Sequence, residues 1–127
     1  MDLVKVYKSI VRPVVEYACQ VWGMSLTKEL SDNIESIQRR AFKIIFPHLT
    51  YHQACTATES PQLITRRESM CKKLFKDIEN PEHKLFDLLP EKYNNTYSLR
   101  KNRKYVPPKC KTNRYKNSFF PWCAYNL

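Results

Sequence analysis

The sequence predicts an all-α protein: a small bundle of about four helices in residues 1–90, followed by an irregular basic tail in residues 91–127. Three observations predict it. Apolar residues recur every three or four positions through four successive stretches before Pro90, which is the period of one helix face. Cap-type residues and prolines stand at the ends of those stretches. After Pro90 the period vanishes and the chain turns basic, aromatic and asparagine-rich.

In the first stretch Leu3, Tyr7, Ile10, Val14, Ala18 and Val21 step along one face as far as Trp22. Asp2 is suited to cap its start, and Gly23 stands where a left-handed residue would end it. Pro13 interrupts, because an interior proline deletes a backbone hydrogen bond and crowds the preceding turn. A kinked helix or two short ones are expected. The second stretch carries Leu30, Ile34, Ile37, Ala41 and Ile45 on one face, with Glu29, Asp32, Glu35, Arg39, Arg40 and Lys43 elsewhere. Thr27 starts it and Pro47 stops it. The third reads Ser60 as cap and Pro61 as first helical position, leading into Leu63, Arg67, Met70, Leu74 and Ile78. Asn80, Pro81 and Glu82 repeat that signal for a short helix with Leu85, Leu88 and Leu89, ended by Pro90. The tail is expected to be extended or partly disordered, with Phe119–Cys123 too apolar to stay in water and therefore docked on the bundle or on a neighbour.

The length of 127 residues and 43% hydrophobic content support one modest core. The net charge of +10 is unevenly placed. Residues 1–46 carry seven Lys/Arg against five Asp/Glu, residues 47–90 six against six, and residues 91–127 nine against Glu91 alone. A near-neutral body thus precedes a tail that attracts polyanions, nucleic acid first and acidic membrane surface second. Lys5, Lys8, Arg12 and Glu16 break up the first twenty residues, so neither a signal peptide nor a membrane span is expected. Five cysteines at irregular separations do not form a paired framework, which favours a reducing intracellular setting, nuclear or cytoplasmic.

Several chemistries are excluded or weak. With Gly23 as the one glycine, neither a P-loop nor a dinucleotide fingerprint can be built. His48, His52 and Cys55 supply three metal ligands at best, where a structural zinc site wants four, and are read as surface histidines and a half-buried thiol; no metal and no cofactor are expected. Asp2, Asp32, Asp77 and Asp87 are scattered singly, which suits caps and solvated faces rather than a two-metal centre.

The positive signal is the mixture of cations and rings in the tail. Arg100, Lys101, Arg103, Lys104, Lys109, Lys111, Arg114 and Lys116 can follow phosphates while Tyr105, Tyr115 and Trp122 stack on bases. Arg39-Arg40 and Arg66-Arg67 would join them in a basic strip if the fold brought them to the same side, and are otherwise ordinary helix charge. A solubilising basic tail is the alternative reading.

A family resemblance runs through nearly the whole chain. Tyr7, Val11-Arg12-Pro13, Glu16-Tyr17-Ala18 and Val21-Trp22 resemble the segment just after the polymerase palm in non-LTR retrotransposon reverse transcriptases of the jockey-like kind. Ile34, Ile37-Gln38-Arg39-Arg40-Ala41, Tyr51 with Ala54, and Leu63 with Arg66-Arg67 look like the thumb helices of that family. Pro107-Pro108-Lys109-Cys110, Thr112-Asn113-Arg114, Asn117-Ser118-Phe119 and Pro121-Trp122-Cys123 are similar to the terminus of such reading frames. Gln62 departs from the Ser or Thr expected before Leu63. The resemblance implies thumb helices that grip template and primer, while catalysis resides in palm aspartates of an aromatic-x-Asp-Asp turn. No Asp-Asp pair occurs in the sequence. The expectation is therefore a non-catalytic C-terminal fragment with weak, nonspecific affinity for RNA or an RNA/DNA hybrid, packing on an absent palm, with no membrane partner. A protein-interaction or structural helical module, or a decayed element copy without selected function, are the alternatives.

Overall fold

The computed structural model describes residues 2–94, 100 and 103–127. Its described residues are all-α, with more helices than the four expected and with one isolated antiparallel bridge, Lys92 to Tyr105.

Asp2 caps α1 (Leu3–Val6) by accepting from the Val4 amide at 3.1 Å. The chain continues through a π-helical turn (Tyr7–Val11) into α2 (Arg12–Glu16). Pro13 does not break this run. The Arg12 amide reaches back five residues to the Tyr7 carbonyl, and that widened turn relieves the crowding a proline ring imposes on the turn before it. The break falls later, where Tyr17 turns extended and Ala18 adopts a left-handed conformation at φ 50°, which costs a residue with a Cβ about 1–2 kcal/mol. Trp22 Nε1 donates to the Tyr17 carbonyl at 2.9 Å and ties the turn to α3 (Cys19–Trp22).

Gly23 is not a left-handed cap. It is right-handed, at φ −61°, opens a 3-10 turn (Gly23–Ser25), and is buried against the aliphatic part of Arg67. A Cβ there would sit 3.3 Å from Arg67 Cδ, so closeness of approach is what the glycine supplies.

Thr27 accepts from the Leu30 amide at 3.3 Å and starts α4 (Lys28–Ile45) as expected. A helix that apolar periodicity did not signal, α5 (Tyr51–Ala57), begins with a reciprocal capping box between Thr50 and Gln53. Then comes α6 (Leu63–Ile78), whose start differs from expectation: neither Ser60 nor Pro61 caps it, and Gln62 at the cap position makes no side-chain cap bond. The cap comes from elsewhere in the chain. The buried Glu35 carboxylate on α4 accepts the Leu63 amide at 3.0 and 3.2 Å. The fourth helix is reduced to turns and a single 3-10 turn (Phe86–Leu88), with Asn80 Oδ1 holding the Glu82 amide at 3.1 Å. His83 Nδ1 accepts from the Leu85 amide at 3.1 Å, so local side-chain acceptors hold this stretch in turns instead of a helix.

The stretch expected to be extended holds α7 (Asn113–Lys116), capped by Thr112, and α8 (Phe119–Asn126). Pro121 is tolerated in α8 because first-turn amides have no helical acceptor. Two apolar clusters result. Tyr7, Phe42 and Ala54 join α1–α2, α4 and α5, while Phe75, Tyr105, Cys123 and Ala124 join α6 to the C-terminal region, with Leu89, Phe119, Phe120 and Trp122 packed around them.

The expected apolar stripe faces inward on α6, where Leu63, Arg67 and Ile78 are buried and Met70 and Leu74 half-buried, but in the first stretch and on α4 it does so only in part. Ile10 is 63% exposed, Val14 75% and Val21 74%, and on α4 Leu30, Ile37 and Ile44 also point outward. The buried side of α4 is Glu35, Gln38 and Phe42. That inward polarity is satisfied by a network: Tyr7 Oη donates to Gln38 Oε1 at 2.7 Å, Gln38 Nε2 donates to Tyr51 Oη at 2.9 Å and to the Pro61 carbonyl at 3.2 Å, and Tyr51 Oη donates to Glu35.

Candidate nucleic-acid interface

The basic C-terminal region acquires its geometry from α8. Packing of Cys123 and Ala124 into the second cluster leaves Tyr125 half-buried, and its hydroxyl donates to the Pro108 carbonyl at 3.1 Å. Two cations then converge on that ring: the Lys116 ammonium at 4.8 Å from its centroid and the Arg103 guanidinium at 5.5 Å. The sequence alone does not single out Tyr125, because nothing local links it to Arg103 or Pro108. Its helical spacing from Trp122, three residues earlier, is the one signal it carries.

The other candidates separate by environment. Arg100, Lys109, Lys111 and Arg114 are exposed, and Tyr115 is 50% exposed between Arg114 and Lys116. Lys101 lies outside the described residues. Lys104 is committed to Glu79 at 2.8 Å. Tyr105 is a correction: 2% exposed, edge-on to Phe75 and donating to Glu79 at 3.0 Å, it presents no face to a base. Burial and that carboxylate push its phenol up to about 12. Trp122 is half-buried against the second cluster, so its ring is largely spent on packing.

Arg66 and Arg67 are not surface helix charge. Arg66 makes a two-pronged ion pair with Glu16, Nη2 lying 3.0 Å from Oε2, which pins α2 to α6 and raises the guanidinium pKa. Arg67 is 1% exposed and donates from Nη2 to Ser31 Oγ at 2.7 Å; among the described residues nothing accepts from its Nε or Nη1. Arg39 and Arg40 are exposed on α4, with Arg39 over the Tyr51 ring at 5.1 Å. That ring packs against the first cluster.

Burial pushes the Cys71 thiol up to about 11 and the Cys123 thiol up to about 12, which keeps both protonated and poor nucleophiles at neutral pH. All five cysteines are free. His48 lies before α5 rather than on it with His52 and Cys55, and among the described residues no group of three or more His, Cys, Asp or Glu is placed to hold a metal ion. No helix of the described residues is long and apolar enough to cross a membrane. Comparison of the chain with family models, curated proteins and solved structures gives no significant match.

Proposed function

We propose that this chain is a nucleic-acid-binding helical module without catalytic activity, derived from the C-terminal region of a jockey-like non-LTR reverse transcriptase. The observation that carries the binding part is the convergence of Arg103 and Lys116 on Tyr125, beside exposed Lys109, Lys111 and Arg114. Such a face follows phosphates through counterion release and carries no readout of base sequence, so affinity is weak, salt-dependent and sequence-nonspecific. RNA and an RNA/DNA hybrid are the partners that the resemblance adds. A reducing intracellular location fits five free cysteines, three of them buried.

The test is fluorescence anisotropy of labelled oligonucleotides with the purified chain over a salt series. Binding that weakens steadily with salt, and that falls when Arg103 and Lys116 are changed together to Gln, is expected. Absence of binding at low salt overturns the proposal. A second reading, a protein-interaction module, is favoured by the outward apolar residues Leu30, Ile37 and Ile44 on α4. Light scattering that shows association which persists or grows as salt is raised and is lost in Ile37→Glu supports that reading.

A further inference from the structure

Next to α7 lies an open groove of about 600 Å³ whose walls include Val21, Leu74, Leu88, Tyr115, Phe119 and Phe120. Gln20 and Ser118 add an amide and a hydroxyl to an otherwise apolar lining. Exposed cations adjoin the lining residues in sequence: Lys73 before Leu74, Lys84 before Leu85, and Arg114 and Lys116 on either side of Tyr115, against Asp87 as the acid between Leu85 and Leu88. The groove therefore combines the exposed Tyr115 ring and the half-buried Phe119 and Phe120 with apolar surface and two polar groups, and exposed cations neighbour its lining residues along the chain.

We infer that this groove receives unpaired bases of single-stranded nucleic acid, with the flanking cations following its phosphates. The inference rests on the nucleic-acid reading above and narrows it. Every base has a π-face that stacks on aromatic side chains irrespective of sequence, but in a duplex those faces are already stacked. A duplex can thus use these cations and not the groove, whereas a single strand uses both. The excess of exposed cations over acids at positions adjoining the lining residues, Lys73, Lys84, Arg114 and Lys116 against Asp87, favours a polyanion over an apolar protein segment. The Leu88 and Val21 side chains, 60% and 74% exposed, are uncovered enough to meet an incoming base.

The experiment measures anisotropy of one labelled 12-nucleotide strand, alone and annealed to its complement, with the full chain at several salt concentrations. The single strand is expected to bind about tenfold more tightly than the duplex. Tyr115→Ala and Leu88→Glu are expected to abolish that preference while duplex binding stays within twofold. Circular dichroism and a thermal melt verify folding, and Val21→Glu repeats the test at a second exposed wall position. Equal affinities for the two forms, or a preference that survives all three substitutions, overturn the groove while leaving the basic face in place. Failure of both oligonucleotides to bind overturns the groove and the broader reading together. Substitutions that change the oligomeric state seen by light scattering, with the strand preference intact, assign the groove to a protein segment and overturn the proposal.

Discussion

The carboxylate of Glu35, midway along α4, stands over the first residue of α6 and accepts the Leu63 amide with both oxygens, at 3.0 and 3.2 Å. It also accepts from Tyr51, so one side chain joins three helices. Helix starts leave amides without helical partners, and an acidic group there meets the positive end of the helix dipole as well. Glu35→Ala is expected to lower stability by about 2–3 kcal/mol, since it removes a cap and leaves two buried donors unanswered. Glu35→Gln, which keeps an acceptor, should lose less. Urea denaturation followed by circular dichroism measures both, and an unchanged midpoint for the alanine variant would refute the role.

The contact between Gly23 and Arg67 makes a coupled prediction. Gly23→Ala fits the backbone, at φ −61°, but places a methyl 3.3 Å from Arg67 Cδ, inside comfortable contact. A loss of about 1 kcal/mol is expected in the native background and little or none in Arg67→Ala, a coupling that a double-mutant cycle reads directly. Arg67→Met is expected to be neutral or stabilising, because a buried guanidinium with one acceptor among the described residues is costly to desolvate. Strong destabilisation by Arg67→Met would point to an acceptor for its remaining protons.

Glu79 couples the C-terminal region to acid. Hydrogen bonding to Lys104, then to Tyr105, holds its carboxyl below the usual 4.5, with burial opposing. A carboxyl that is more acidic in the folded state stabilises that state fully above pH 4.5 and ceases to do so as pH falls through its lowered value. The Tyr105 ring resonances in NMR should therefore shift toward exposed values on acidification below pH 4.5, and Glu79→Gln should remove that pH dependence. An identical acid response in both proteins would exclude Glu79 as its source.

Changing Arg103 and Lys116 to Gln should lower the slope of log affinity against log salt by about 0.7–0.9 for each phosphate that is no longer neutralised. The same substitutions should leave thermal stability nearly unchanged, because both side chains are exposed. A reduced affinity with an unaltered salt slope would mean that these residues do not meet phosphates.

Helix class and several ends were legible locally. Asp2, Thr27 and Pro47 act where the sequence places them, because capping and chain termination are decided within a few residues. What was illegible depended on distant groups. The α6 cap lies twenty-eight residues away on Glu35, and Gly23 is explained by Arg67 rather than by its own φ. Periodicity placed the inward side of α6 but missed that of α4: Gln38 and Glu35 are buried because Tyr7, Tyr51 and Leu63 satisfy them, a compensation that no hydropathy pattern contains. In the C-terminal region the basic composition concealed α8, whose apolar residues are too uniform around the helix to show a face. The candidate face was legible as composition in Arg103 and Lys116, but its centre, Tyr125, required the folded chain.

Leu30, Ile37 and Ile44 recur every seven residues on the solvent side of an eighteen-residue helix, in a protein of net charge +10. Mutual repulsion between like-charged molecules opposes contact through that ridge in dilute buffer, and added electrolyte shields the repulsion without weakening hydrophobic attraction. Self-association and oligonucleotide capture consequently respond to ionic strength in opposite directions, so a salt titration of scattering intensity separates stickiness of the ridge from attraction to polyanions.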